Sequence, residues 1–252
     1  MIEFEIDALL FSRALDAVST ISKEPAIVFE PAGMSIIATR GDQVILLQLS
    51  IMASEFEVFD VGEKRSKICF NVDALQKYMR GVKGSAMLAI QDTMITLMLP
   101  SKYGFKTFDT PLLVELPATL VPKALKGFDS FCKVEIGALQ EVIRDAGILD
   151  SEYLRFEVND NNLDAVIKGD KGTARNSIEE GKGILKSQFD SNTKFSVVTV
   201  NFAEAVNAGK AFTNIIKMSF SQQLLPQRFE FQVPFDGTLI SYLAPLVEPD
   251  AE

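Results

Sequence analysis

Six basic side chains are placed to make charge contacts: Arg13, Lys77, Arg80, Lys83, Arg144 and Lys210. Lys77 and Arg80 are three residues apart, so on a helix they share one face. Arg13 stands opposite an apolar stripe of Phe11, Ala14, Leu15 and Val18, and Arg144 opposite Leu139, Val142, Ile143 and Ala146. Lysine and arginine presented in this way meet phosphates without reading bases. Asp16, Glu141, Asp145 and Glu204 fall on the same segments, and an ordinary solvated helix surface is the alternative reading. The chain contains no histidine, which removes the commonest neutral-pH acid/base and the commonest metal ligand. The acidic residues are scattered, and no nucleophile stands beside a base. Gly81-Val-Lys-Gly-Ser85 lacks phosphate-loop spacing and follows a helix instead of opening one, and Gly181-Lys182-Gly183 reads as a loop tip. The expectation is a protein without catalytic residues, metal or cofactor. A two-domain enzyme acting on a small substrate is the opposing class.

The elements that carry these residues occur twice. Glu5-Ile-Asp-Ala-Leu9 returns as Glu135-Ile-Gly-Ala-Leu139, each ending a strand and starting an amphipathic helix. Phe70-Asn-Val-Asp-Ala-Leu75 and Val198-Thr-Val-Asn-Phe-Ala203 introduce a second helix in each half. A duplication over half the chain predicts two similar domains. Helices are predicted over 8–21, 73–83, 137–147 and 201–212, with Asp7, Asp73 and Asn201 at their starts. Alternating segments around them predict strands at 1–6, 26–30, 33–38, 44–49, 67–72, 86–99, 133–136, 153–158, 163–167, 194–200, 215–220, 227–233 and 238–244. The class is antiparallel α+β. Around Pro111, Pro117 and Pro122 the periodicity stops, in an extended stretch that is too apolar for a simple tether. The predicted organisation is a domain over 1–113, a connecting loop over 114–130 and a second domain over 131–252.

With 252 residues and 47% hydrophobic content, each half can bury a core. Cys69 and Cys132 fall on strands and read as reduced core residues. No apolar run reaches membrane-spanning length and no secretory signal is read. A net charge of -9 argues against bulk nucleic-acid binding, so any contact with DNA must be concentrated on one surface.

Taken in order, these features resemble the PCNA-type DNA sliding clamps, the processivity factors of archaeal and eukaryotic replication. The resemblance covers essentially the whole chain. It is carried by the closing Tyr242-Leu243-Ala244-Pro245, the helix with Lys77 and Arg80, the strand pair from Gly33-Met34 to Leu49, the Pro-bounded Leu120-Val121-Pro122, and the duplication. It implies a clamp fold of two similar domains, antiparallel sheets plus two helices each, closed as a trimer around double-stranded DNA. It implies non-sequence-specific DNA contact through the basic helices. It also implies partners (DNA polymerase, clamp loader, flap endonuclease and ligase) that insert short hydrophobic peptides. By position, Thr39, Val44, Leu46, Leu120, Val121, Pro122, Pro226, Tyr242, Leu243, Ala244 and Pro245 would line that peptide pocket. Edge strands at about 103–110 and 173–179, with Tyr103, Phe105 and Phe108, would join subunits. The implied setting is archaeal cytoplasm and nucleoid, or a eukaryotic nucleus.

Several positions depart from the family pattern. Leu246 stands where a basic residue is common, Thr39 where a larger apolar one is, and the helices are less basic than usual. One specialised subunit of a heterotrimer, including a checkpoint-type clamp, is the alternative to a homotrimer.

Overall fold

A computed structural model describes residues 1–114, 127–159, 161–190, 193–221 and 225–246. The chain groups into two compact units: Met1–Gly41, Leu47–Val121 and Val233–Leu239 form one, and Asp42–Leu46, Pro122–Gln232 and Ile240–Glu252 the other. The short segments Asp42–Leu46 and Val233–Leu239 therefore group differently from a simple cut at 113.

In the first unit β1 (Ile2–Asp7) feeds α1 (Ala8–Ser19). Asp7 accomplishes the change of geometry, because its Oδ1 accepts from the Leu10 amide at 2.8 Å and satisfies a donor the helix cannot. Next come β2 (Ala26–Glu30), β3 (Gly33–Thr39), β4 (Ile45–Met52), β5 (Phe56–Asp60) and β6 (Ser66–Cys69). The helix α2 (Val72–Met79) precedes β7 (Ser85–Gln91), β8 (Met94–Ser101) and β9 (Gly104–Pro111). One antiparallel sheet has the order β5-β1-β7-β8-β9, and β4-β3-β2-β6 lie side by side in another. Gly33 opens β3 at φ 151, and a Cβ there would lie 2.2 Å from the Ile51 carbonyl oxygen, so only glycine fits. Phe4 is fully buried and meets the rings of Phe11, Phe29 and Phe56 at 6.1, 5.6 and 5.8 Å.

The second unit repeats the plan. It comprises β10 (Ser130–Glu135), α3 (Ile136–Ile148), β11 (Tyr153–Asn159), β12 (Asn162–Gly169), β13 (Gly172–Ile178), β14 (Ile184–Gln188), β15 (Lys194–Val198), α4 (Thr199–Asn207), β16 (Ile215–Phe220) and β17 (Gln227–Phe231). The last strand, β18 (Gly237–Leu243), follows. Its sheets run β13-β12-β11-β15 and β14-β10-β16-β17. Phe156 and Phe202, at 5.1 Å, centre a ring cluster with Phe195 and Phe229. Where Asp7 caps α1, the matching residue is Gly137, which has no side chain to offer. Accordingly α3 starts at Ile136, whose amide donates to the Asn214 carbonyl at 2.8 Å.

Several boundaries differ from the sequence reading. Asn71, not Asp73, caps α2 by accepting from the Asp73 amide at 3.0 Å, while Asp73 pairs with Lys23 at 2.8 Å. The helix stops at Met79 because Arg80 turns to ψ 118 and Gly81 to φ 75. The α4 helix spans Thr199–Asn207, not 201–212, and Asn201 lies inside it, buried. Strands β5 and β14 were not foreseen, since their residues are largely exposed and lack a full apolar face. Just before the 114–130 segment, the Leu113 amide donates to the Cys69 carbonyl at 2.9 Å.

Both cysteines are free and buried, and burial pushes the Cys132 thiol up to about 12. Thiol alkylation at pH 8 is therefore expected to be undetectable in the native protein and complete in denaturant. Modification of Cys132 in the native protein at the rate of a free thiol would contradict the buried position.

Candidate functional site

The helices pack in pairs, α1 with α2 and α3 with α4. In the first pair Gln76 donates to the carboxylate of Asp16 and, at 3.4 Å, to Ser19. In the second, Gln140 donates to Asn207 at 3.0 Å. Amide contacts thus join the helices at their polar faces, and Gln76 occupies one acid that the sequence set against the basic side chains. Asp145 is occupied too, accepting from Asn176 at 2.7 Å. The basic groups stay available. Lys77, Arg80, Lys83 and Lys210 are exposed and Arg13 is half-buried. Arg144 has only long contacts, 3.9 Å to Glu141 and 4.0 Å to Asp145. Such exposed pairs hold a side chain weakly. Lys77 alone of the α2 group lies within its helix; Arg80 and Lys83 follow its end, and Lys210 follows α4.

Much of the second candidate surface gathers in the second unit. There the Ala244 amide donates to the Val44 carbonyl at 2.9 Å, and the Leu246 amide to Ser196 at 2.8 Å. These bonds hold Val44, Ala244 and Pro245 half-exposed, with Tyr242 and Leu46 nearly buried in the adjoining strands. Pro226 is half-buried before β17. Leu243 is fully buried, so its side chain belongs to the core and not to an open pocket wall. Thr39 belongs to the first unit, and its buried Oγ1 has no hydrogen-bond partner among the described residues. Leu120, Val121 and Pro122 lie outside the described residues.

The third group lies on open sheet edges. Strands β9 and β13 each end their sheet. Tyr103 is 89% and Phe105 78% exposed, whereas Phe108 stacks on Tyr78 at 3.9 Å within its own unit. Large aromatics left open beside unpaired strand amides are a template for another chain.

Beside the β13 edge is a charge cluster that sequence reasoning missed, because its members come from three strands. Asp164 is 3% exposed and accepts from Arg175 Nη2 at 2.7 Å and Nε at 3.2 Å. Burial raises its pKa, but hydrogen bonds from Ser177 and Arg175, the Arg175 charge and a bond from Asn159 together hold it below the usual carboxylate range. A depressed folded pKa means that Asp164 stabilises the fold above its unfolded pKa, and that this contribution is lost as pH falls through the folded value. Asp164→Asn is expected to lower the urea midpoint at pH 7, with the difference shrinking as pH falls below about 4. A difference that grew in acid would refute the assignment.

No family model matches the chain. A DNA polymerase sliding clamp of Thermococcus sibiricus is 25% identical over 249 residues, covering 94% of this chain and 95% of the relative. DNA polymerase sliding clamp 2 of Saccharolobus solfataricus is 22% identical over 242 residues, covering 95% and 97%. Among solved structures, proliferating cellular nuclear antigen from Entamoeba histolytica superposes with a TM-score of 0.85 at 18% identity, covering 98% of this chain and 99% of that one. The chain has the PCNA-type clamp fold. A PCNA2–PCNA3 complex from Sulfolobus tokodaii is also similar, with a TM-score of 0.81 at 17% identity and coverage of 96% and 98%. The clamp likeness runs end to end, as the sequence resemblance did. Among the described residues no helix is long and apolar enough to cross a membrane, and no cluster of metal-ligating side chains occurs.

Proposed function

We propose that this clamp-fold chain is a non-enzymatic DNA sliding clamp, a subunit of a trimeric ring that encircles duplex DNA and tethers DNA polymerase and other replication and repair enzymes. The observation that carries the reading is the end-to-end similarity to proteins named DNA polymerase sliding clamp, at 25% identity over 249 residues. The physics of the chain agrees with it. A closed ring is retained by topology, so a few screened contacts from Arg13, Lys77, Arg80, Lys83, Arg144 and Lys210 suffice and permit sliding. The acidic remainder, at net -9, limits adhesion elsewhere. In this reading β9 of one subunit pairs with β13 of the next, and the surface at Val44, Pro226, Ala244 and Pro245, with Thr39 and Leu120–Pro122, receives a partner's hydrophobic peptide. Polymerase, clamp loader, flap endonuclease and ligase are the partners proposed for it, in the cytoplasm and nucleoid or in a nucleus.

A heterotrimeric ring is the second reading, favoured by the likeness to sliding clamp 2 of Saccharolobus solfataricus and to the PCNA2–PCNA3 complex. The mass of the purified chain in solution, by light scattering, separates the two. A trimer at micromolar concentration supports the homotrimer. A monomer that forms a trimer only with related subunits of the same organism supports the heterotrimer. A monomer that associates with neither would remove the ring.

A further inference from the structure

The outer face of β14-β10-β16 carries a row of like charge. Lys186, Lys133 and Lys217 are directly opposite one another across these three adjacent strands. On the fourth strand Glu230 faces Lys217, at 3.5 Å, but it is shared with Arg228 at 2.9 Å. Lys133 and Lys186 are exposed, and among the described residues neither has an ion-pair partner. Like charges directly opposite on neighbouring strands disfavour the sheet, so folding alone gives no reason for this row.

The row also borders a concavity of about 530 Å³, walled in part by the half-buried Phe131 and Ile215. The ammonium of Lys217 sits 5.2 Å from the centre of the Phe131 ring, which holds it at the rim. Neighbouring strands are about 4.8 Å apart, so the lysines span roughly 10 Å at the backbone. Same-face side chains of an extended peptide recur about every 6.7 Å. Two carboxylates at that spacing can each reach a pair of these flexible ammonium groups, with an apolar neighbour turned toward Phe131 and Ile215.

We infer that this lysine row is a docking site for a short acidic–aliphatic segment of a partner protein. The apolar walls favour a peptide over nucleic acid, since a phosphate backbone leaves Phe131 and Ile215 uncovered. Every residue that forms this surface lies in one unit.

The test uses the full chain and a short fluorescein-labelled peptide in which glutamate and leucine alternate, read by anisotropy. Saturable binding that weakens with salt is expected, with affinity falling by about tenfold or more in Lys133→Glu/Lys186→Glu. The glutamine version of the peptide should bind no better than that variant does. Lys133→Gln should melt at the same temperature as the parent or higher, since it relieves repulsion. Three results would overturn the proposal: binding unchanged in the double variant, a single-stranded oligonucleotide bound more tightly than the peptide through the same lysines, or a lowered melting temperature in Lys133→Gln.

Discussion

Replacing Tyr103 and Phe105 with glutamate should leave the chain folded and dissolve its assembly. The two rings are 89% and 78% exposed in the single chain, on and beside an edge strand whose outer amides have no ladder partner within the sheet. Neither packs in the core, so the monomer loses little. An aromatic anchor at a protein joint commonly contributes about 2–4 kcal/mol, and each 1.4 kcal/mol is tenfold in dissociation constant. The pair should therefore raise the dissociation constant of the ring by at least about 100-fold, and glutamate adds the cost of burying a charge. Phe108→Ala is the informative contrast. Its ring already stacks on Tyr78 within the same unit, so its loss should lower stability more than assembly. Light scattering and urea titration of the same samples separate these effects. An assembly undisturbed by the double change would move the joint away from β9.

Phe4→Ala should be the most destabilising single change in the first unit. Phe4 is fully buried at the meeting point of β1, α1, β2 and β5, contacting Phe11, Phe29 and Phe56. Truncating a buried phenylalanine costs about 3–5 kcal/mol, from lost transfer energy and from the cavity left behind. The three surrounding rings belong to three elements, so the cavity cannot be closed by moving one of them. Urea unfolding should show a transition for the first unit shifted far to lower denaturant, while the Phe156–Phe202 cluster of the second unit is unaltered. A loss below about 1 kcal/mol would mean that the cluster is not packed as described.

Much of this arrangement was legible before any coordinates. The duplicated Glu-Ile-x-Ala-Leu segments located both strand-to-helix junctions, because the switch from alternating to helical periodicity depends on local residue order. What remained hidden depends on partners distant in sequence. The end of α2 at Met79 follows from the backbone turn at Arg80 and Gly81, and the cap at Asn71 competed with an equally plausible Asp73. Strand β14 has no complete apolar face to betray it; its pairing with β10 defines it. The basic side chains were found by helical spacing, but the bonds that Gln76 and Asn176 make to Asp16 and Asp145 were not, since no pattern ties these amides to those acids. The lysine row was invisible for the same reason, since Lys133, Lys186 and Lys217 become neighbours only through strand pairing.

The central claim is that the assembled chain is held on DNA by topology and not by affinity. The direct measurement is retention on a nicked circular duplex after loading with the clamp loader and any co-purifying clamp subunits of the same organism, followed by cutting the circle once. The account predicts that the protein stays with the circle through gel filtration and is lost on linearisation. Equal retention on circular and linear DNA, or failure to be retained on either, would contradict it.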